Sequence, residues 1–123
     1  MRRVLLAAAA VVAFATAARA DDPFAVAYGN TVTETLPDGT KIVIYVNPDM
    51  TWQQAVAGHV TKGTYAWKDA THVCFTVTDP APADPSKATA CNEIKGDHKV
   101  GDSWTEQTPD GKTITMMITA GRT

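Results

Sequence analysis

The residues best suited to metal chemistry in this chain are its three histidines, His59, His72 and His98. None of them forms an H-x-H or H-x-x-x-H pair, the spacings that place two imidazoles on one face of a strand or a helix. His59 and His72 flank a predicted turn at Lys68-Asp69, and antiparallel pairing across that turn would bring them together. Imidazole nitrogens bind zinc and copper. His59 and His72 are therefore candidate metal ligands, with solvent-facing or edge histidines as the alternative.

Catalysis would need convergent carboxylates or an activated nucleophile. The chain has three glutamates, Glu34, Glu93 and Glu106, and two of them lie in similar turn segments, where a solvated hairpin face accounts for them. The serines, Ser86 and Ser103, stand outside any G-x-S-x-G motif. We therefore expect a protein that is not an enzyme and that uses no cofactor.

Four aromatic residues are candidate contacts for a small ligand: Trp52, Tyr65, Trp67 and Trp104. Cavities for small molecules are mostly apolar, with a few polar groups that fix the ligand. An eight-stranded barrel is just wide enough either to be filled by its own side chains or to hold one small ligand. Core packing is thus the alternative role for the same four side chains.

The two cysteines, Cys74 and Cys91, are predicted to form a disulfide. A crosslink that encloses a loop of this length stabilises a domain by about 3 kcal/mol in the chain-entropy model. A redox or metal pair usually has closer spacing or further ligands nearby. We therefore expect a structural disulfide.

These residues must be positioned by strands, because Thr, Val, Ile, Tyr and Trp recur between turn dipeptides and no stretch of helical length carries an apolar stripe free of breakers. Eight strands are predicted, at Thr31 to Leu36, Thr40 to Val46, Thr51 to Val56, Val60 to Trp67, Thr71 to Thr78, Ala88 to Glu93, Val100 to Gln107 and Lys112 to Thr119. Their short connections favour antiparallel neighbours, since a parallel crossover needs a dozen or more residues. The prediction is an all-β, up-and-down meander in a single domain over residues 21–123.

Two of the turns are near-duplicates, at Leu36 to Thr40 and at Thr108 to Lys112. Each contains Pro-Asp-Gly, in which proline presets the first corner and glycine takes the left-handed position that closes the turn. The chain therefore contains two hairpins of one design.

Alternation of apolar and polar residues predicts which side of each strand is buried. The inward positions are Ile42, Ile44 and Val46; Val73, Phe75 and Val77; Val100 and Trp104; and Ile114, Met116 and Ile118. One buried and one solvated face per strand fits a barrel or a two-sheet sandwich. We favour a small closed barrel, because closure removes unpaired edges, and keep the sandwich as the alternative.

Two segments fall outside the predicted strands. Asp79 to Lys87 contains three prolines and is expected to be an exposed, stiff loop. The predicted disulfide would join the two strands that flank this loop. Asp21 to Gly29 contains apolar and aromatic residues, and either caps an open end of the barrel or forms an arm that inserts into a partner.

The amino terminus predicts export. Met1-Arg2-Arg3 precedes an apolar run from Val4 to Ala15 and the small-residue motif Ala18-Arg19-Ala20, which together are typical of a signal peptide over residues 1–20 cleaved after Ala20. The run is too short for a membrane span, which needs roughly twenty residues. We expect the mature chain in the periplasm or outside the cell, where disulfides persist.

The mature chain is acidic, because removal of the signal peptide leaves eight lysines and arginines against thirteen aspartates and glutamates. Nucleic acids and anionic lipids are held mainly by Lys and Arg. We therefore exclude nucleic acid as a partner and expect a small ligand or a protein.

Several short motifs carry a resemblance that covers most of residues 30–122. They are Gly63-Thr64-Tyr65-Ala66-Trp67, Cys74-Phe75, the proline loop, Cys91, Gly101-Asp102-Ser103-Trp104 and Pro109-Asp110-Gly111. In this pattern the chain resembles small exported β-proteins of alphaproteobacteria to which no function is assigned. The resemblance implies a β fold with one disulfide.

In size, export, disulfide and strand number, the chain also looks like the lipocalin-like periplasmic inhibitors of secreted metalloproteases. These inhibitors place an N-terminal arm in the protease cleft, which would give Asp21 to Phe24 that role. The cysteine positions and the Asp-Asp-Pro start differ from that family. We expect a non-enzymatic exported binding or interaction module, with a protease inhibitor bearing an N-terminal arm as the alternative.

Overall fold

A computed structural model describes residues 22–122. Its strands are β1 (Thr31–Thr35), β2 (Lys41–Val46), β3 (Thr51–Val56), β4 (His59–Trp67), β5 (His72–Asp79), β6 (Thr89–Glu93), β7 (Ser103–Gln107) and β8 (Thr113–Thr119). Two single turns of 3-10 helix, Ala25–Ala27 and Pro85–Lys87, complete the regular structure of these residues, which include no α-helix. The predicted signal peptide and its cleavage position at Ala20 lie outside the described residues.

The eight strands form one antiparallel sheet in the order β6-β5-β4-β3-β2-β1-β8-β7. The predicted all-β meander is confirmed, and the sandwich alternative is wrong because there is a single sheet. β1 pairs with β8, so the first and last strands join as they would in a barrel. β6 and β7 are the two edges, so the predicted closure is not reached in the described part of the chain. The result is a curled half-barrel, whose unpaired side we call the β6–β7 opening.

The residues that connect β6 to β7 explain why the sheet stays open there. Gly96 and Gly101 both have positive φ, at 76° and 98°. This backbone conformation does not continue a strand, and β7 begins only at Ser103. Val100, predicted to face inward on the seventh strand, therefore lies in this connection and is 45% exposed. That prediction is wrong.

The core lies inside the curl of the sheet. Its buried side chains are Ala27, Val46, Trp52, Tyr65 and Val73. Val73 is fully buried, and the inward positions predicted on β2 and β5 pack into or against this cluster, apart from Ile42. The period-two alternation of these strands thus identified most of the buried face from sequence.

The segment before β1 fills one end of this core. The Phe24 ring contacts Tyr65, Trp67 and Phe75, with centroid separations of 5.2, 4.9 and 6.0 Å. The Tyr28 hydroxyl donates a hydrogen bond to the Asp22 carboxylate. Residues 22–28 therefore form a cap on the half-barrel, which is the first of the two roles expected for this segment.

Gly63 allows the indole of Trp52 to lie against β4. A Cβ atom on Gly63 would come within 1.9 Å of the Thr76 carbonyl oxygen and 2.8 Å of Trp52 Nε1. Trp52 Nε1 donates to the Thr64 carbonyl oxygen at 2.9 Å. Only glycine leaves room here, because real Cβ atoms do not approach other heavy atoms so closely.

The disulfide prediction is confirmed: Cys74 and Cys91 are bonded and lie directly opposite each other on β5 and β6. Every residue of β6 is exposed. The disulfide therefore fastens an edge strand that buries little of its own surface. No helix among residues 22–122 is long and apolar enough to cross a membrane.

Candidate functional site

A cavity of about 1020 Å³ lies inside the half-barrel and reaches the β6–β7 opening. Its lining residues come from the N-terminal cap, from β1, β2, β3 and β5, from β6 and the connection after it, and from β7, β8 and the turn between them. Most of the wall therefore stands on a hydrogen-bonded sheet. Such a scaffold holds its side chains in fixed relative positions.

Apolar side chains form much of the wall. They include Val32, Ile44, Phe24, Met116 and Ile118. The first two are paired across β1 and β2, and Ile118 is the partner of Val32 on β8. The sheet register thus places these three side chains in one continuous row, which gives the cavity a surface suited to hydrocarbon or aromatic groups.

Glu34 brings a carboxylate into this apolar setting. It is paired with Ile42 on one side and with Met116 on the other. The pKa of Glu34 is raised above its ordinary value, chiefly because burial disfavours the charged form and also because Glu106 repels it. Among the described residues, no hydrogen bond or ion pair is made by the Glu34 carboxylate. It is a half-buried charge without a counter-ion on this part of the chain.

Glu106 lies on the edge strand β7, two residues after Trp104, and both Trp104 and Glu34 pair with Met116 on β8. Its Oε2 atom accepts a hydrogen bond of 2.8 Å from Trp104 Nε1. The Trp104 ring in turn stacks on His98, with centroids 3.5 Å apart and ring planes 6° apart. His98 Nε2 lies 3.1 Å from the Lys95 carbonyl oxygen, which is an acceptor. His98, Trp104 and Glu106 thus form a connected polar and aromatic group on the β7 side of the cavity.

The four aromatic residues predicted to contact a ligand lie in two different places. Trp52 and Trp104 line the cavity, and Trp52 is also one of the buried core residues. Tyr65 and Trp67 lie beneath the Phe24 ring, and the Tyr65 hydroxyl donates to the Asn47 carbonyl oxygen at 2.6 Å. Tyr65 and Trp67 therefore have the core role that was their alternative.

The two predicted metal ligands are not brought together. His59 begins β4, whereas His72 begins β5 next to the far end of β4, where Trp67 pairs with Val73. The length of β4 separates them by about 26 Å at the usual rise per residue. His72 Nδ1 lies 2.9 Å from Asp69 Oδ1 in the β4–β5 turn. Residues 22–122 contain no group of three or more His, Cys, Asp or Glu side chains that could hold a metal ion.

Sequence reasoning missed Glu34 and Glu106 as cavity residues. Both were assigned to solvated hairpin faces, yet both line the cavity. The period-two pattern of the strands could have predicted this position. Glu34 lies two residues after Val32, and Glu106 lies two residues after Trp104. Residues two apart share a face of a strand. The serines, by contrast, are exposed, Ser86 in the proline loop and Ser103 on β7.

Comparison of the chain with protein-family models, with curated proteins and with solved structures finds no match. Function is therefore inferred from the geometry and chemistry of the cavity.

Proposed function

We propose that this protein is a non-enzymatic exported binding module that holds a small, largely apolar ligand in the cavity of the half-barrel. The observation that carries the proposal is the cavity itself, with a volume of about 1020 Å³ and a mainly apolar wall. Pockets for small molecules usually have volumes of roughly 300 to 1,000 Å³ and a few polar groups among apolar ones. The cavity therefore has the size and the lining of a ligand site.

The shape of the sheet supports this role. The cap fills one end of the half-barrel with Phe24 and Ala27, whereas the inner side near Glu34 and Glu106 stays unfilled by the side chains of residues 22–122. The β6–β7 opening gives a path by which a ligand can enter without separation of any paired strands. Binding then needs little rearrangement of the backbone, which lowers its free-energy cost.

Export to the periplasm or the medium is part of the proposal. The Cys74–Cys91 disulfide supports it, because stable disulfides persist in oxidising compartments. The alternative function, protease inhibition by an N-terminal arm, stays a prediction. In the structure Phe24 of that arm is packed on Trp67 in the core, so insertion into a protease would first require its release.

Cavity-filling substitution tests the proposed site. Met116 lines the cavity, whereas its neighbour Met117 is 37% exposed on the outer face. Met116→Trp should therefore weaken the binding of the neutral apolar dye Nile red by about tenfold, equivalent to about 1.4 kcal/mol. Met117→Trp is the matched control and should leave the affinity unchanged.

Fluorescence titration of the folded proteins measures the affinities, with cooperative urea unfolding as the check that both variants retain the fold. Equal weakening by the two substitutions, or no saturable binding to the wild type, would reject the cavity as a ligand site. Native mass spectrometry of protein purified without denaturation provides an independent test. A ligand of the proposed kind appears as extra mass that is lost on unfolding.

A further inference from the structure

We propose that the ligand of this cavity carries a protonated amine, which contacts the carboxylates of Glu34 and Glu106 while the apolar part of the ligand lies against Val32 and Met116. The inference rests on the proposed function and names the chemical class of its ligand. Its basis is that, among residues 22–122, no basic side chain forms an ion pair with either of these two cavity-lining glutamates.

The surroundings of Glu34 show the need for a cation. Ile42 and Met116 are its cross-strand partners, and Trp104 pairs with Met116 on the next strand. Within the described residues, the carboxylate accepts no hydrogen bond and joins no ion pair. A half-buried carboxylate in such a position loses hydration without recovering it from the protein. A ligand cation would supply the missing interaction.

Glu106 adds a second negative charge from β7. One of its oxygens accepts the indole hydrogen bond of Trp104. That hydrogen bond fixes the direction of the side chain but does not neutralise its charge. Glu34 and Glu106 repel each other across β8, so a shared cation would relieve this repulsion as well as the loss of hydration.

Two lysines of the described residues pair with acidic groups other than Glu34 and Glu106. Lys95 is the lysine that lines the cavity, and its Nζ atom lies 3.7 Å from Glu93. Lys112 lies 3.8 Å from Asp110 in the β7–β8 turn. Neither lysine forms an ion pair with Glu34 or Glu106, so the charge of the wall favours an external cation.

The remaining lining identifies the kind of cation. Calcium takes six or more oxygen ligands and zinc usually four ligands, whereas the two glutamates stand in a largely apolar wall. A protonated amine needs only two or three acceptors and can carry an apolar body of its own. An amine attached to an aromatic or alkyl group therefore fits both parts of the wall.

Three probes of one shape test this inference: phenylbutylamine, phenylbutanol and phenylbutyrate, titrated by isothermal calorimetry into the folded wild type. The amine should bind about tenfold tighter than the alcohol, because hydrogen bonds to charged groups are worth more than neutral ones, and the carboxylate should bind most weakly. Glu34→Gln should remove this preference for the amine and leave the affinity for the alcohol unchanged.

Asp49→Asn is the matched control. Asp49 is an exposed turn residue whose Oδ1 atom accepts from the Thr51 amide at 3.1 Å, and asparagine can keep that contact. This variant should retain the preference for the amine. Equal binding of amine and alcohol to the wild type, with binding still weakened by Met116→Trp, would overturn the inference and leave the cavity as a binding site. Failure of all three probes to bind, together with failure of Nile red, would overturn both proposals.

Discussion

The imidazole of His98 lies flat against the indole of Trp104, with 3.5 Å between ring centroids and 6° between ring planes. The contact joins the connection after β6 to β7, on the side where the two strands have no hydrogen-bonded ladder among the described residues. A side-chain stack therefore holds the rim of the cavity at the place where a closed barrel would have backbone pairing.

Loss of this stack should loosen the β6–β7 connection. We expect His98→Ala to increase amide exchange over residues 95–102 several-fold, because an aromatic pair contributes about 0.5 to 1.5 kcal/mol beyond its buried area. Hydrogen exchange read by mass spectrometry measures the effect. His59→Ala is the control, since His59 is exposed at the start of β4. Unchanged exchange of the connection in His98→Ala would show that the stack does not hold it.

Removal of the Phe24 ring should destabilise the fold. The ring packs on Tyr65, Trp67 and Phe75, so Phe24→Ala should lower the free energy of unfolding by about 3 kcal/mol. Urea unfolding at equilibrium measures the change. Val60→Ala provides a control, because Val60 is 48% exposed. If residues 22–28 were a free arm, both substitutions would have equally small effects.

The disulfide should account for a large part of the stability of β6. Reduction of the wild type is expected to lower the free energy of unfolding by about 3 kcal/mol, the value for a loop of this length. The double variant Cys74→Ser/Cys91→Ser should match the reduced wild type and should not respond to reductant. Paired urea titrations with and without a dithiol test this. If the dithiol also lowered the free energy of unfolding of the serine variant, the loss of stability in the reduced wild type would have a cause other than the disulfide.

Glu34 should make stability depend on pH. Its pKa is raised in the folded state above the ordinary value of 4.5, so the folded protein holds the proton more tightly than the unfolded chain does. Stability therefore falls as the pH rises from 4.5 through the raised pKa, and the full destabilisation is present once the pH lies above that raised pKa.

Melting temperatures of the wild type and Glu34→Gln over this pH range measure the effect. The variant should melt higher at pH 7, and the two curves should converge on acidification below 4.5. In a background of Glu106→Gln, the difference in melting temperature between Glu34 and Glu34→Gln at pH 7 should become smaller but should not vanish. Burial is the larger cause of the raised Glu34 pKa, and repulsion by Glu106 is the smaller one. A constant difference at all pH values would contradict the shift.

Much of the architecture could be predicted from local sequence patterns. Alternation in Lys41–Val46 and in Thr113–Thr119 predicts both the strands and their buried faces, because successive side chains in a strand point to opposite sides. The Pro-Asp-Gly turns predict hairpins, since proline and glycine restrict a few adjacent dihedral angles. The cysteine pair follows from the small number of cysteines in a chain with a predicted signal peptide.

The site could be predicted only in part. Trp52 and Trp104 line the cavity, and their contact with a ligand stays a prediction, whereas Tyr65 and Trp67 are covered by Phe24, which lies more than forty residues earlier in the sequence. His59 and His72 were expected to meet, but the full length of β4 lies between them. Packing of the N-terminal cap decides the first outcome, and the pairing register of β4 and β5 decides the second.

The sequence by itself determined the strands, the turns, the buried face and the disulfide, because each depends on the chemistry of neighbouring residues or on two cysteines alone. Only the tertiary structure decided that the half-barrel stays open between β6 and β7 and that Glu34 and Glu106 line the same cavity. The physical reason is that both features depend on pairing between strands: β8 pairs with β1 on one side and β7 on the other, and no ladder joins β6 to β7 among the described residues. No local pattern of residues encodes which of these distant strands pair with each other.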